Sequence, residues 1–362
     1  YEESGIRCRH PNWWKNTANS LRLTVNIGTK PPSLLGFDAL LDFDAQISVG
    51  EEKLTIDELK KLLAETEGLA FIKGKWVEIN HEKLKEALLA YEQARKLIGR
   101  NDFTLLEAMR LQLNPAEMLG LENKEQVVEV TNGQWLNTVI SRLTQPESLE
   151  IVTSGENFNA RLRPYQEKGL AWLYYMKTLG LGACLADDMG LGKTIQVIAL
   201  LNYMRSRKKE KTLLVIPASL IGNWTDEINK FVPSLKYYIL HPSENDSQSI
   251  GEIQSTDEYE LFITTYGMLS RYERLKEITW DTLILDEAQA IKNPGTKQSK
   301  AVKQLKAAFK IAMTGTPVEN RLSDLWSLFD FLNGGLLGTA NLAVGGIHEL
   351  VFVLLDKVDE IK

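Results

Sequence analysis

The residues best suited to chemistry stand in one run, Asp187-Asp188-Met189-Gly190-Leu191-Gly192-Lys193-Thr194. An apolar stretch at 183–186 precedes it and a helical pattern at 195–203 follows. Strand, glycine loop and helix N-terminus in that order make a phosphate cradle, because loop N–H groups and the helix dipole converge on an anion. Lys193 would reach the β- and γ-phosphates, with the Thr194 hydroxyl on Mg²⁺. Asp187 occupies the first glycine position of the general G-x-x-x-x-G-K-[ST] pattern, while Gly190, Gly192, Lys193 and Thr194 are kept. A dinucleotide fold is excluded, since Ile195 stands where G-x-G-x-x-G needs its third glycine.

A second cluster, Asp286-Glu287-Ala288-Gln289, closes the apolar run at 282–285. A carboxylate at a strand's C-terminal edge shares the rim on which open α/β sheets bind ligands. Asp286 would hold Mg²⁺ directly or through water, and Glu287 would orient and deprotonate an attacking water. An acidic pair alone is commonly a solvated turn; the phosphate loop upstream raises this one to a candidate site. A GTPase would add Asn-Lys-x-Asp, and Asn229-Lys230-Phe231-Val232 lacks the aspartate. His348-Glu349 has no second histidine four residues on, so it is no zinc helix.

These residues must be positioned by strands, and the rhythm past residue 160 supplies them. Apolar runs at 182–186, 213–216, 237–240, 261–264, 282–285 and 311–313 alternate with helical or loop segments, which predicts a parallel sheet with helices on its faces. Before it, residues 1–150 read as a mixed α+β accessory region. A helix starts at Thr55 with Glu58 completing a capping box and ends at Gly68; residues 69–79 form a strand or hairpin around Gly74. Asn80 caps an amphipathic helix reaching Gly99, and another covers 105–113. Turn residues at 145–147 and 154–157 link this region to the strand-and-helix segment at 151–338, with 339–362 a tail or boundary segment.

The chain has 362 residues, 44% of them hydrophobic and 25% charged, so disordered and fibrous classes are excluded. No apolar run approaches the roughly 20 residues that span a bilayer. Two cysteines, Cys8 and Cys184, rule out a disulfide framework and favour a cytoplasmic location. The net charge of −6 argues against nucleic-acid binding through bulk charge and leaves it to a local patch. The beginning at Tyr1, without a signal-peptide core, reads as a fragment edge.

Taken together, these motifs resemble the helicase-like superfamily 2 ATPases and, more narrowly, the Snf2 (SWI2/SNF2) family of double-stranded DNA translocases. Residues 162–173, Leu-Arg-Pro-Tyr-Gln-Glu-Lys-Gly-Leu-Ala-Trp-Leu, are similar to the adenine-side motif, which implies Gln166 as base reader. Residues 187–194 match the family's own phosphate loop, Asp187 included, and imply ATP contacts from Asp188, Met189, Gly190, Leu191, Gly192, Lys193 and Thr194. Residues 215–224 resemble motif Ia and residues 263–266 the motif after it; the resemblance implies DNA contacts from Ser219, Asn223, Trp224, Thr264 and Thr265. Residues 286–289 with Lys292-Asn293-Pro294 look like motif II, and 313–320 like motif III. Gln289, where the family often has histidine, would couple to Thr314, Gly315 and Thr316.

The resemblance implies an α/β RecA-like P-loop NTPase lobe with a mostly parallel sheet, a smaller α+β accessory domain before it, and ATP, Mg²⁺ and double-stranded DNA as ligands. The family's second RecA-like lobe, with its arginine fingers, is absent from this sequence. Residues 1–150 are left as a site for a protein partner. By chemistry alone an RNA or DNA strand-separating helicase and a non-catalytic nucleic-acid-binding scaffold stay open. Two basic clusters, Lys297, Lys300, Lys303, Lys306 and Lys310 along an expected helix, and Arg205, Arg207, Lys208, Lys209 and Lys211, could touch phosphate, although such stripes are usually solvated faces. Tryptophans 13, 14, 172, 224 and 326 are more commonly packing anchors than stacking platforms.

Overall fold

A computed structural model describes residues 21–32, 41–49, 52–64, 68–72, 75–98, 103–113, 115–121, 128–241, 258–316 and 322–337. Cys8, Trp13, Trp14, Gly74, Gly99, residues 317–321 and the tail 339–362 lie outside them. The chain divides into two compact units, residues 1–33 with 40–137 and residues 34–39 with 138–362.

The first unit contains β1 (Leu21–Ile27), β2 (Phe43–Val49), β3 (Glu52–Leu54), α1 (Ile56–Ala64), β4 (Gly68–Ile72), β5 (Lys75–Ile79), α2 (His81–Ile98), α3 (Leu105–Leu113), α4 (Pro115–Met118) and β6 (Val128–Asn132). Leu23, Val25 and Ile27 alternate into the core, as a strand with one covered face requires. They anchor a sheet of order β3-β2-β1-β6 in which β6 runs parallel to β1 and the other pairs are antiparallel. The capping box at α1 is formed: Thr55 N donates to Glu58 Oε2 at 2.8 Å and Glu58 N to Thr55 Oγ1 at 3.3 Å. Asn80 Oδ1 accepts from Lys83 N at 3.0 Å and starts α2. Gly68 does not end α1; it opens the hairpin strand β4, paired antiparallel with β5.

The division between units falls within α5 (Gln134–Thr144). The second unit continues with α6 (Pro164–Leu179), β7 (Ala183–Leu185), α7 (Lys193–Arg205), β8 (Thr212–Ile216), α8 (Ile221–Phe231), β9 (Tyr237–Leu240), β10 (Leu261–Thr265), α9 (Tyr266–Leu269), β11 (Thr279–Leu285), α10 (Lys297–Lys303), β12 (Lys306–Met313) and α11 (Leu322–Leu332). All six expected runs are strands of one wholly parallel sheet, ordered β7-β12-β11-β8-β10-β9. Every residue of β8 and β10 is buried, which is why these strands read as near-continuous apolar runs ended by threonines rather than as alternations. Phe262 and Trp280 pack edge to face with ring centroids 5.5 Å apart, within a core that extends to Leu328 and Phe331 of α11.

One expectation fails. The lysines from 297 to 310 do not share a helix, because α10 ends at Lys303 and Lys306 and Lys310 lie on β12. Buried Phe309, Ile311 and Met313 set the strand period there, and the three- and four-residue lysine spacing only imitates a helical one.

Sheet order explains the site. Parallel strands deliver their following loops to one edge, so neighbours β7, β12, β11, β8 and β10 present residues 186–193, 314–316, 286–289, 217–224 and 266 side by side on a single rim.

Candidate functional site

The phosphate loop is a tight turn built on two glycines. Gly190 and Gly192 hold φ of 83° and 78°, the left-handed region where a side chain is strained. A Cβ on Gly192 would also stand 2.6 Å from Gln166 Nε2. Lys193 opens α7, and its ammonium donates to the carbonyls of Asp187 at 2.7 Å and Asp188 at 3.3 Å. Thr194, the next residue, is half-buried, whereas Asp188, Met189 and Leu191 are exposed. Asp187 has work of its own at the first glycine position: its Oδ2 accepts from Gln196 Nε2 at 2.8 Å, tying the base of the loop to α7. Gln196 was missed in the sequence, though a buried amide within the apolar face 195–201 is the signal that marks it.

Gln166 is brought to the loop, but its amide is engaged by backbone. Its Oε1 accepts from Arg163 N at 3.0 Å at the start of α6, and its Nε2 donates to Leu191 O at 3.0 Å. The Tyr165 hydroxyl donates to the same carbonyl at 2.9 Å.

Across the rim, Asp286 is buried one residue past β11. Its Oδ2 accepts from the indole Nε1–H of Trp224 at 2.8 Å and its Oδ1 from Glu287 N at 2.9 Å. Burial pushes the Asp286 carboxyl above the usual carboxylate range; these two hydrogen bonds oppose that, Glu287 adds to it, and the nearby Lys193 ammonium counters it. Glu227 on α8 is likewise raised by burial, with Lys230 lowering it and Asp286 raising it. Glu287 itself takes φ of 51°, an uncommon conformation for a side chain with a Cβ, at a candidate catalytic position.

Glu287 starts a short chain of contacts. Gln289 Nε2 donates to Glu287 Oε2 at 2.5 Å, and Gln289 Oε1 accepts from Thr314 Oγ1 at 3.2 Å. Thr316 N closes onto Thr314 Oγ1 at 3.2 Å, and Gly315 faces Met189 so closely that a Cβ would come within 3.1 Å of its Cγ. The phosphate loop, Asp286, Glu287, Gln289 and the 314–316 turn therefore lie together.

Among the described residues no group of three or more histidine, cysteine or carboxylate side chains gathers for a metal. Mg²⁺ beside a nucleotide needs no such cage, since one or two carboxylates and phosphate oxygens commonly suffice. The donor set of Asp286 and Thr194 offers hard oxygens and fits that ion. Each Asp286 oxygen accepts one of these two hydrogen bonds and has a second lone pair for a metal ion.

The expected DNA face is corrected in part. Ser219 and Asn223 are exposed. Trp224 is 1% exposed and turned inward to Asp286. Thr264 is fully buried, its hydroxyl donating to Leu240 O at 3.1 Å, and Thr265 is buried with it, because both lie inside a strand covered on two faces. Basic residues at and just past the end of α7 have partners: Arg205 pairs with Glu260, Arg207 covers the rings of Tyr174 and Tyr203, and Lys208 lies 3.8 Å from Asp281. Lys303 bonds Asp330 at 2.7 Å and Lys310 donates to Phe331 O at 2.9 Å, leaving Lys297 and Lys300 as the exposed pair of that group on α10.

A family model described as an SNF2-related domain matches residues 165–342, and one described as an SNF2 helicase protein matches residues 1–113. The chain belongs to the Snf2 family. Its relatives include YwqA of Bacillus subtilis (strain 168), named as a candidate ATP-dependent helicase/translocase, 34% identical over 98% of this chain and 39% of that protein. The DNA excision repair protein ERCC-6-like of Danio rerio is 42% identical over 50% of this chain and 13% of its own length. Among solved structures, a Sulfolobus solfataricus SWI2/SNF2 ATPase core in complex with dsDNA is 40% identical at a TM-score of 0.50, covering 56% of this chain and 45% of that one. The chain therefore spans less than half the length of each of these relatives. Within the Snf2 frame the six-stranded parallel sheet is the RecA-like ATPase core.

Proposed function

We propose that this chain carries the ATP-binding lobe of an Snf2-type motor that hydrolyses ATP and translocates on double-stranded DNA. The observation that carries this reading is the gathering of Lys193, Asp286, Glu287 and Thr314 on one rim, with Ser219 and Asn223 exposed farther along it. The dsDNA-bound structural relative supports that substrate, and the ATP-dependent helicase/translocase name of YwqA supports the motor activity. Residues 151–338 form the ATPase lobe and residues 1–150 an accessory region.

In this reading Lys193 supplies the cation that meets the β- and γ-phosphates, held ready by two carbonyls of its own loop. Thr194 and Asp286 would hold Mg²⁺, which neutralises phosphate charge when bound. Glu287 orients water and takes its proton, with Gln289 fixing one of its oxygens. Gln289 and Thr314 pass the state of Glu287 to the 314–316 turn. The cation for the far side of the γ-phosphate comes from outside the lobe, and such an arginine is worth roughly 10³ to 10⁵ in rate. The isolated 362-residue chain accordingly binds nucleotide but turns it over slowly.

Translocation and strand separation are told apart by two substrates. The intact protein with ATP should displace the third strand of a DNA triplex and leave a forked duplex unseparated. Efficient unwinding of the fork would assign it to the strand-separating helicases, and absence of ATP hydrolysis would make it a scaffold.

A further inference from the structure

Asp286 is fixed at every polar atom it has. Its backbone N donates to Val215 O at 3.0 Å, and its backbone carbonyl accepts from the Tyr266 hydroxyl at 2.8 Å. Its two carboxylate oxygens accept from Trp224 Nε1 and Glu287 N, as above. Three of these four partners come from β8, α8 and α9, segments that follow one another on the rim beside β11. Both aromatic donors are buried, Trp224 at 1% exposure and Tyr266 at 5%, so water does not compete for either bond. Burial together with the charges of Asp286 and Glu287 raises the Tyr266 hydroxyl well above its ordinary range, which keeps it a donor.

The placement of Trp224 has a second side. Asn223 beside it on α8 is exposed, and Ser219 just before the helix is exposed too. One helix of eleven residues thus shows Asn223 to solvent and sets Trp224 on the Asp286 carboxylate.

We propose that Trp224 and Tyr266 are positioning residues for Asp286, and that α8 transmits contact at Ser219 and Asn223 to that carboxylate through the indole N–H. This rests on the reading of Asp286 as the Mg²⁺-holding residue of an ATP site. Trp224 carries the directional part, because it bonds the carboxylate itself; Tyr266 holds the backbone on which the carboxylate turns. The arrangement accounts for a tryptophan in a segment expected to face DNA being wholly inside.

The test uses Trp224→Phe and Tyr266→Phe in the intact protein, each deleting a donor while keeping an aromatic ring. Binding of a fluorescent ATP analogue is titrated with Mg²⁺, and again without Mg²⁺. For Trp224→Phe the half-saturating Mg²⁺ concentration should rise roughly tenfold or more, the scale of a lost hydrogen bond to a charged group, while Mg²⁺-free affinity stays unchanged. The ratio of DNA-stimulated to basal ATPase should fall with it. Tyr266→Phe should shift the same Mg²⁺ titration by a few-fold, and it decides the matter if Trp224→Phe does not fold. Ile228→Val, buried on the same helix, lowers stability without touching Asp286 and should leave the Mg²⁺ titration in place. An unshifted Mg²⁺ titration in both aromatic variants overturns the proposal, as does an equal shift in Ile228→Val. Failure of the underlying ATP-site reading shows separately, as nucleotide binding that survives Lys193→Ala.

Discussion

Gly169 lies in the middle of α6 directly against Gln196 of α7, and replacing it with alanine probes whether Gln196 truly holds the phosphate loop. An ideal Cβ there stands 2.0 Å from Gln196 Oε1 and 3.1 Å from its Cδ. The first distance is more than an ångström too short for contact, so Gln196 has to move or the helices have to part. Gln196 is 1% exposed and has little room, and any shift carries away the Nε2 that bonds Asp187 Oδ2 at 2.8 Å. Losing a hydrogen bond to a charged group costs about 1.5–3 kcal/mol, and overpacking adds about 1–3 kcal/mol where relaxation is incomplete. Against this, alanine gains about 1 kcal/mol over glycine in a helix interior. The net is a destabilisation of roughly 1.5–5 kcal/mol, at about 2–4 °C of melting temperature per kcal/mol for a unit of this size. Thermal unfolding and ATP-analogue affinity are measured together, and both should fall. Gly222→Ala is the control: in α8, with nothing within 4 Å of its Cβ, it should keep or slightly raise stability. A Gly169→Ala protein that melts at or above the wild type with unaltered nucleotide affinity refutes the argument.

Lys193→Ala should abolish steady-state ATP turnover by removing the cation for the β- and γ-phosphates, a loss of several orders of magnitude; unchanged turnover removes the loop from the site. Glu287→Gln should retain nucleotide and Mg²⁺ binding while hydrolysis drops at least about a hundredfold, since an amide accepts no proton; single-turnover assays and equilibrium binding separate the two, and a parallel loss of affinity would make Glu287 a binding residue. Thr314→Val deletes the hydroxyl that reaches Gln289 at 3.2 Å, and should reduce DNA stimulation of the ATPase several-fold with nucleotide affinity intact; stimulation at the wild-type level would show that the 314–316 turn is not coupled to Glu287.

The fold's strands were legible where burial is complete on both faces. The run at 213–216 is wholly apolar and those at 261–264 and 282–285 carry a single threonine each, because these stretches of β8, β10 and β11 are buried throughout. Their order across the sheet was not legible, since it is set by pairing between residues far apart in the chain. The phosphate loop announced itself because glycine, lysine and threonine at that spacing answer to backbone geometry and phosphate charge, both local demands. Trp224 was misplaced for the opposite reason: a motif treats Asn223 and Trp224 as neighbours, whereas successive helical residues point about 100° apart. Thr264 carries a polar group that sequence reading puts outside, yet Leu240 O satisfies it within the sheet. Lys306 and Lys310 look helical by spacing, and only the burial of Phe309 and Ile311 on alternate positions of β12 reveals the strand.

The central claim, that this rim is the nucleotide site of a motor driven by double-stranded DNA, is tested most directly by the ATPase rate of the intact protein. Turnover is compared at saturating ATP and Mg²⁺ with no nucleic acid, with double-stranded DNA, with single-stranded DNA and with RNA. The account predicts the largest stimulation by double-stranded DNA, and turnover at least about a hundredfold lower in Glu287→Gln under the same conditions. Equal or greater stimulation by RNA, or turnover near the wild-type rate in Glu287→Gln, would contradict it.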